Sequence, residues 1–232
     1  MRMTKLMMGL GMSLFALVSL PSCNDNDGMD PSLELYQQYE VIVTSAAKAA
    51  YANFRIGSAA GERVELTDGS WLKINALDTY YQQSVSATDP EFNYAVVLGS
   101  NHNKAIFTFH RSKDMELRNS VSFENLPRIG IDTGLTSVTN GTPLNLDLAG
   151  IDPMDIDVTL RTDGATPTVY RAMYGPRGFE FQGVPAGTYT LVADYVQVTP
   201  TESNDGNAGG SITLISRNYR ETVSYTHLTL PT

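Results

Sequence analysis

GFEFQGVPAGTYTLVADY, residues 178–195, is the stretch from which the fold is read. Phe179 and Phe181 point one way, Val184-Pro185-Ala186-Gly187 turns the chain, and Tyr189, Leu191 and Ala193 resume the alternation. A period of two puts alternate side chains on one face, so this stretch predicts two strands joined by a turn, each with one buried side. Upstream, Leu144, Leu146 and Leu148 keep the same period, as do Ile156, Val158 and Leu160. Between residues 35 and 222 almost nothing has the spacing of an amphipathic helix. Short runs of Val, Ile, Thr, Tyr and Phe are punctuated by Gly, Asn, Asp and Pro instead, which is the pattern of an all-β chain.

Working outward, the runs 39–44, 48–56, 63–66, 71–76, 92–98, 105–111 and 120–123 make one set of strands. Together they resemble one immunoglobulin-like sandwich. The runs 142–148, 156–161, 168–173, 178–182, 187–198 and 211–219 make a second set. Pro127 cannot donate to a ladder and places the boundary near residues 124–128. The expected architecture is two consecutive β-sandwich domains, 35–125 and 126–222, after a signal peptide at 1–22 and a flexible acidic tether at 23–34. Alanines in residues 46–54, AAKAAYANF, favour a helix by propensity. Ala50, Ala52, Phe54 and Ile56 nevertheless share one strand face, with Tyr51, Asn53 and Arg55 on the other, so a strand is expected. Asp68-Gly69 signals a hairpin between 64–66 and 71–74. The long polar connection TPTESNDGNAGG, residues 199–210, is expected to be a disordered tip rather than a binding loop.

The 178–195 stretch resembles the F-x-F-x-G-[VL]-P-x-G-x-Y motif of prealbumin-like and carboxypeptidase-regulatory-like sandwiches, also found in Cna-B repeats of surface adhesins. The resemblance covers one turn and its flanks and implies a fold, not a function. Cna-B repeats often carry a Lys-to-Asn crosslink. Residues 129–222 contain no Lys, which excludes such a bond within this half.

At the other end, Arg2 and Lys5 precede an uncharged run at 6–20, LMMGLGMSLFALVSL, too short to cross a bilayer comfortably and suited to a signal h-region. Leu20-Pro21-Ser22-Cys23 then resembles the lipobox of bacterial lipoproteins. The resemblance implies cleavage between Ser22 and Cys23, diacylglycerol on the Cys23 sulfur and a further acyl chain such as palmitate on the new amino terminus. Each buried methylene contributes about 0.8 kcal/mol to anchoring. Cys23 is the only cysteine, so the fold has no internal disulfide and rests on its core. The acidic run after it, NDNDGMDP, resembles the segment following the lipidated cysteine in surface-exported lipoproteins of the Bacteroidetes group. Asn24 removes the usual inner-membrane retention signal, so the expected location is the outer membrane, facing outward. Asp25, Asp27, Gly28 and Glu34 occupy EF-hand offsets, but Cys23 and Asp30 stand where the loop needs other residues, and the run reads as a tether.

Residues 223–232, VSYTHLTLPT, resemble an in-frame translation of a sequencing-library transposon adapter. The competing reading is a terminal strand, since Val223, Tyr225 and His227 alternate with Ser224, Thr226 and Leu228. On the adapter reading the natural chain continues past residue 222 and His227 carries no function.

Composition narrows the function classes. With 42% hydrophobic residues, 19 Gly and 11 Pro the chain is globular, and a net charge of −9 gives it no basic surplus with which to bind nucleic acid. It has no G-x-S-x-G, H-E-x-x-H, G-x-x-x-x-G-K-[ST], C-x-x-C or G-x-G-x-x-G motif. His102 lies in a turn and His110 on an outer strand face, both read as hydrated surface groups. Asp152, Asp155 and Asp157, near Asp147, form a weak calcium candidate, with simple hydration the default, and no metal or cofactor is assigned. Trp71 reads first as core packing; with Tyr80 and Tyr81 it is the candidate glycan contact. The expectation is a non-enzymatic, lipid-anchored envelope protein with a protein or glycan partner. Its rivals are a glycan-binding accessory of a polysaccharide uptake system and a pilus or adhesin component.

Overall fold

The computed structural model describes residues 29–30, 32–67, 69–79, 93–164 and 166–227. Cys23, Ser22, Tyr80 and Tyr81 fall outside them. The described chain is all-β, as its period-two pattern requires. Its strands are β1 (Leu35–Val43), β2 (Lys48–Ile56), β3 (Arg63–Val64), β4 (Trp71–Ile74), β5 (Leu77–Asp78), β6 (Tyr94–Leu98), β7 (Lys104–Ser112) and β8 (Met115–Ser122). Then follow β9 (Ser137–Thr139), β10 (Ile156–Arg161), β11 (Val169–Arg171), β12 (Met173–Gly175), β13 (Gly178–Glu180), β14 (Gly187–Pro200) and β15 (Gly210–Thr226). One turn of 3-10 helix, Pro153–Asp155, precedes β10.

The alanine-rich segment is strand β2, paired along its length with β1. Small side chains let Ala50 and Ala52 lie fully buried against the neighbouring aromatics. The largest sheet runs β11-β10-β14-β15-β1-β2-β3, with β6 also on β2 and β9 also on β15. A four-stranded sheet, β5-β4-β7-β8, packs across the β15-β1-β2 part, and Tyr39 stacks on Phe107 at 4.2 Å while Phe54 meets Phe109 at 4.5 Å. This is the first core. The second gathers Val158, Leu160, Phe179, Phe181, Val184, Tyr189 and Leu191 beneath β10 and β14, closed by the β12-β13 pair.

The two cores are not built from two separate lengths of chain. Ile212 and Leu214 of β15 pack in the first core, Val223 and Tyr225 of the same strand in the second. Strand β15 also pairs in parallel with β1, Tyr39 opposite Ile212 and Val41 opposite Leu214. Cross-strand partners share a face, so the pairs Leu191–Arg220, Ala193–Asn218 and Tyr195–Ser216 put both cores on one side of the large sheet. Residues 223–226 belong to the strand. A bulge opposite Thr190, with Thr222 at φ 60°, shifts the parity so that odd-numbered Val223 and Tyr225 turn inward where even-numbered Ile212 and Leu214 did.

Several local expectations differ from what forms. Strands β3 and β4 do not make the hairpin that Asp68-Gly69 signals, because β3 pairs with β2 and β4 with β7. The motif at 178–195 is likewise a crossing between sheets, since β13 pairs with β12 and β14 with β10 and β15. The turn is held by the Tyr189 hydroxyl, which donates to the Pro185 carbonyl at 2.9 Å. Residues 142–148 alternate but do not form a strand. Pro143 has no N–H to offer, and only isolated bridges form, Leu144 to Phe179 and Asp147 to Gly130. At Gly178, with φ 128°, a Cβ would stand 2.8 Å from the Leu144 carbonyl oxygen, so only glycine permits that bridge.

The connection at 199–210 is the largest departure. It is not a free tip but a plug fastened at the end of the first core. Arg111, 2% exposed, donates to the Asp205 carboxylate and, at 2.6 Å each, to the carbonyls of Asp30 and Leu33. Asp205 also accepts from the Leu35 N–H at 2.7 Å. Burial pushes the Asp205 carboxyl above its ordinary range, while the Leu35 N–H and the Arg111 guanidinium pull it back. Beside this pair, Asn119 Oδ1 accepts from the Glu202 and Ser203 N–H groups, and its Nδ2 and Gln37 Nε2 both donate to the Ser203 carbonyl. The Tyr39 hydroxyl completes the network by donating to Gln37 Oε1 at 2.7 Å. At Gly206 a Cβ would overlap the Glu34 carboxylate, so the loop's approach to β1 needs glycine there.

Breaking a buried pair leaves an uncompensated charge. Arg111→Met is therefore expected to lower unfolding stability by about 3–5 kcal/mol in urea titration. Arg111→Lys should recover little of it, because one ammonium cannot serve the three directions that the planar fork reaches.

Candidate binding site on the far face of the large sheet

The large sheet has a second face, turned away from both cores. On it Ile42 stands opposite Ile215, Val192 opposite Tyr219 and Asp194 opposite Arg217, with Arg161 across from Thr190. Five strands, β10, β14, β15, β1 and β2, floor a pocket of about 490 Å³. The β1–β2 turn walls one side through Thr44 and Ala47, and the β10–β11 loop walls the other through Thr162, Asp163, Gly164 and Pro167. The first wall is tied down by Thr44 Oγ1, which accepts from the Ala46 and Ala47 N–H groups.

Two chemistries meet in this pocket. Ile42 and Val192 are buried although they face away from the cores, and Tyr51 and Tyr219 add aromatic surface. Two of the pocket's lining residues, Arg161 and Arg217, belong to an ionic triad. Asp194, 5% exposed, takes Arg217 as a fork, Nε to Oδ1 at 2.8 Å and Nη2 to Oδ2 at 2.9 Å, and Arg161 Nη2 at 3.4 Å. Arg161 Nε is fixed in turn by Thr159 Oγ1 at 3.1 Å. Glu221 stands at the rim. The cationic and anionic side chains nearly balance, so the pocket suits a polar ligand of little net charge with one apolar side. Its two arginines are held on strands rather than loops and need little ordering when a ligand enters.

The residues singled out from sequence are placed elsewhere. Trp71 is 36% exposed on the outer face of the four-stranded sheet, where His110 stacks on it at 4.9 Å and the Lys73 ammonium lies over the ring at 5.2 Å. Both of these neighbours sit over ring surface that a sugar would use. Tyr80 and Tyr81 are outside the described residues. His102 is in the turn before β7, its ring 3.3 Å from the Gly99 carbonyl. Two carboxylates of the calcium candidate are separately engaged: Asp152 caps the short helix by accepting from the Met154 N–H, and Asp157 pairs with Arg171. Among the described residues no group of three or more His, Cys, Asp or Glu side chains is placed to hold a metal ion. Nor, among them, is any helix long and apolar enough to cross a membrane.

Sequence reasoning passed over Arg161, Asp194 and Arg217. One signal was available: a carboxylate and an arginine each sit mid-strand at the parity opposite to the core residues. What joins them is the register of β14 on β15, and that is set across a long connection. No family model matches the chain, and comparison with curated proteins and with solved structures gives no match.

Hydrogen bonds to charged groups contribute about 1.5–3 kcal/mol each. Asp194→Asn, which keeps the shape and removes the charge between two guanidiniums, is expected to cost about that much in denaturant unfolding. Tyr219→Ala, at a side chain 37% exposed, should leave stability nearly unchanged and serve as the control.

Proposed function

We propose that this chain is a lipid-anchored, non-enzymatic binding module of the bacterial envelope, fixed through Cys23 to the outer membrane and turned outward. The observation that supports binding is the far-face pocket, whose lining arginines Arg161 and Arg217, both paired with the buried Asp194, and two tyrosines stand on its floor strands. Support for the anchor comes from Leu20-Pro21-Ser22-Cys23 behind a charged and then apolar leader. The short tether then gives the anchor an orientation. Residues 23–28 reach about 20 Å when extended, so the Arg111 end of the first core stays close to the bilayer. Strand β15 starts there, where the Gln37 N–H donates to the Gly209 carbonyl, and leads away from it for 17 residues, or about 55 Å. The second core is then the membrane-distal end.

A glycan is the partner that the pocket favours, because aromatic rings beside fixed guanidiniums suit a sugar's apolar face and its hydroxyls. This is the reading of the chain as a glycan-binding accessory.

Two measurements test the proposal. Cells expressing the chain should incorporate labelled palmitate into it, and Cys23→Ala should abolish the label and release the protein from the membrane fraction. Label retained in the variant contradicts the anchor. On an array of neutral glycans the protein should retain at least one structure, with affinity falling about tenfold, roughly 1.4 kcal/mol, in Tyr219→Ala. Retention indifferent to Tyr219 contradicts the pocket.

A further inference from the structure

The outer face of the four-stranded sheet carries the opposite sign to the molecule as a whole. Lys73, Thr108 and Arg118 stand in one row across β4, β7 and β8, and Lys104 opens β7. With His102 these cations line a shallow groove of about 650 Å³ in which no carboxylate takes part. Lys73 has Asp78 at 3.2 Å outside the groove, whereas Lys104 and Arg118 have no acidic partner among the described residues. In a chain of net charge −9, a groove lined by three cations, of which Lys104 and Arg118 have no acidic partner among the described residues, marks a surface that complements an anion.

The groove is held open by its own backbone. The two-residue turn Asn75–Ala76, both at positive φ, joins β4 to β5, and the Asn75 side chain clamps it to β7 by accepting from the Ile106 N–H at 2.7 Å and donating to the Lys104 carbonyl at 2.9 Å. On the other side, Lys48 Nζ donates to the Ser100 carbonyl at 2.8 Å and to that of His102, fixing the turn that presents His102 and Asn103.

We infer that this groove binds an acidic polysaccharide, one whose carboxylates are spaced along a hydroxyl-rich chain. The spacing of the charges selects it. Lys73 and Arg118 lie two strand spacings apart, about 10 Å, and Lys104 is four residues along β7 from that row, about 13 Å. Between the charges stand neutral hydrogen-bonding groups, Thr108 and Asn103. A nucleic acid carries a phosphate about every 3.4 Å of strand, and most of those would meet no cation beside a negatively charged protein. The groove runs along β7 from the Thr108 row to Lys104, three to seven residues or about 10 to 23 Å from Arg111.

The test uses the full-length chain in detergent micelles with polygalacturonate, dextran and a single-stranded oligonucleotide as probes, followed by titration calorimetry. Polygalacturonate should bind, losing about tenfold in affinity between about 50 mM and 200 mM salt, and dextran should not bind at this face. The double variant Lys104→Gln/Arg118→Gln should weaken polygalacturonate by about tenfold or more while its thermal unfolding stays that of the parent. Tyr219→Ala should leave polygalacturonate binding unchanged, which separates this groove from the far-face pocket, and Cys23→Ala should leave it unchanged too, which separates it from the anchor. Absence of polygalacturonate binding at low salt overturns the inference. So does an oligonucleotide that binds as tightly, or binding that survives the double variant.

Discussion

A guanidinium buried at 2% exposure needs its donors answered, and in this protein the answers come from two distant parts of the chain. Arg111 on β7 takes the carboxylate of Asp205 from the β14–β15 connection and the carbonyls of Asp30 and Leu33 from the segment leading into β1. That one side chain brings the start of β1 and the start of β15 to the same end of the first core. The parallel ladder Tyr39–Ile212 and Val41–Leu214 then zips away from it. Burial of Asp205 makes the pair costly, and its worth lies in specificity: an apolar plug has no comparable demand for one register.

From that constraint follows the continuity of the large sheet. Once β15 is registered on β1, the rest of the strand carries on into the second core, where Val223 and Tyr225 pack with Tyr189 and Phe181. Both cores thereby lie on one side of the sheet, and its other side is left to present Arg161, Arg217, Tyr51 and Tyr219. The outer face of the four-stranded sheet presents cations. The molecule has two dissimilar faces on rigid strands, a nearly balanced pocket and a basic groove.

Much of the local structure was legible in the sequence, and little of the long-range pairing. Alternation found β2 in an alanine-rich segment that propensity assigns to a helix, because Ala50, Ala52 and Phe54 form a face for Tyr39 and Phe109 to fill. The same alternation overshot at 142–148, where Pro143 withholds a donor and only the isolated bridges of Leu144 and Asp147 form. It undershot at β8, whose inward positions include Asn119 among Leu117 and Val121; a buried amide breaks an apolar pattern although it is the residue that fastens Ser203. The 199–210 connection looked like a tip because it is Asn, Asp, Ser, Thr and Gly. Composition predicts exposure only when the polar groups lack partners, and Arg111, Gln37 and Asn119, more than 80 residues away, supply them. Pocket and groove were equally unreadable, since each depends on which strands neighbour one another and in what register. Sequence patterns of period two carry the face of a residue but not its cross-strand partner.

If one sheet truly carries both cores, they must melt together. Trp71, the lone tryptophan, reports by fluorescence the four-stranded sheet that covers the first core, and hydrogen exchange at the Leu160 and Leu191 amides reports the second core. Followed side by side through a urea titration, the two signals should show one shared midpoint, as a single cooperative unit demands. Two separated transitions, with the Leu160 and Leu191 amides protected after Trp71 has reported unfolding or the reverse, would contradict the account.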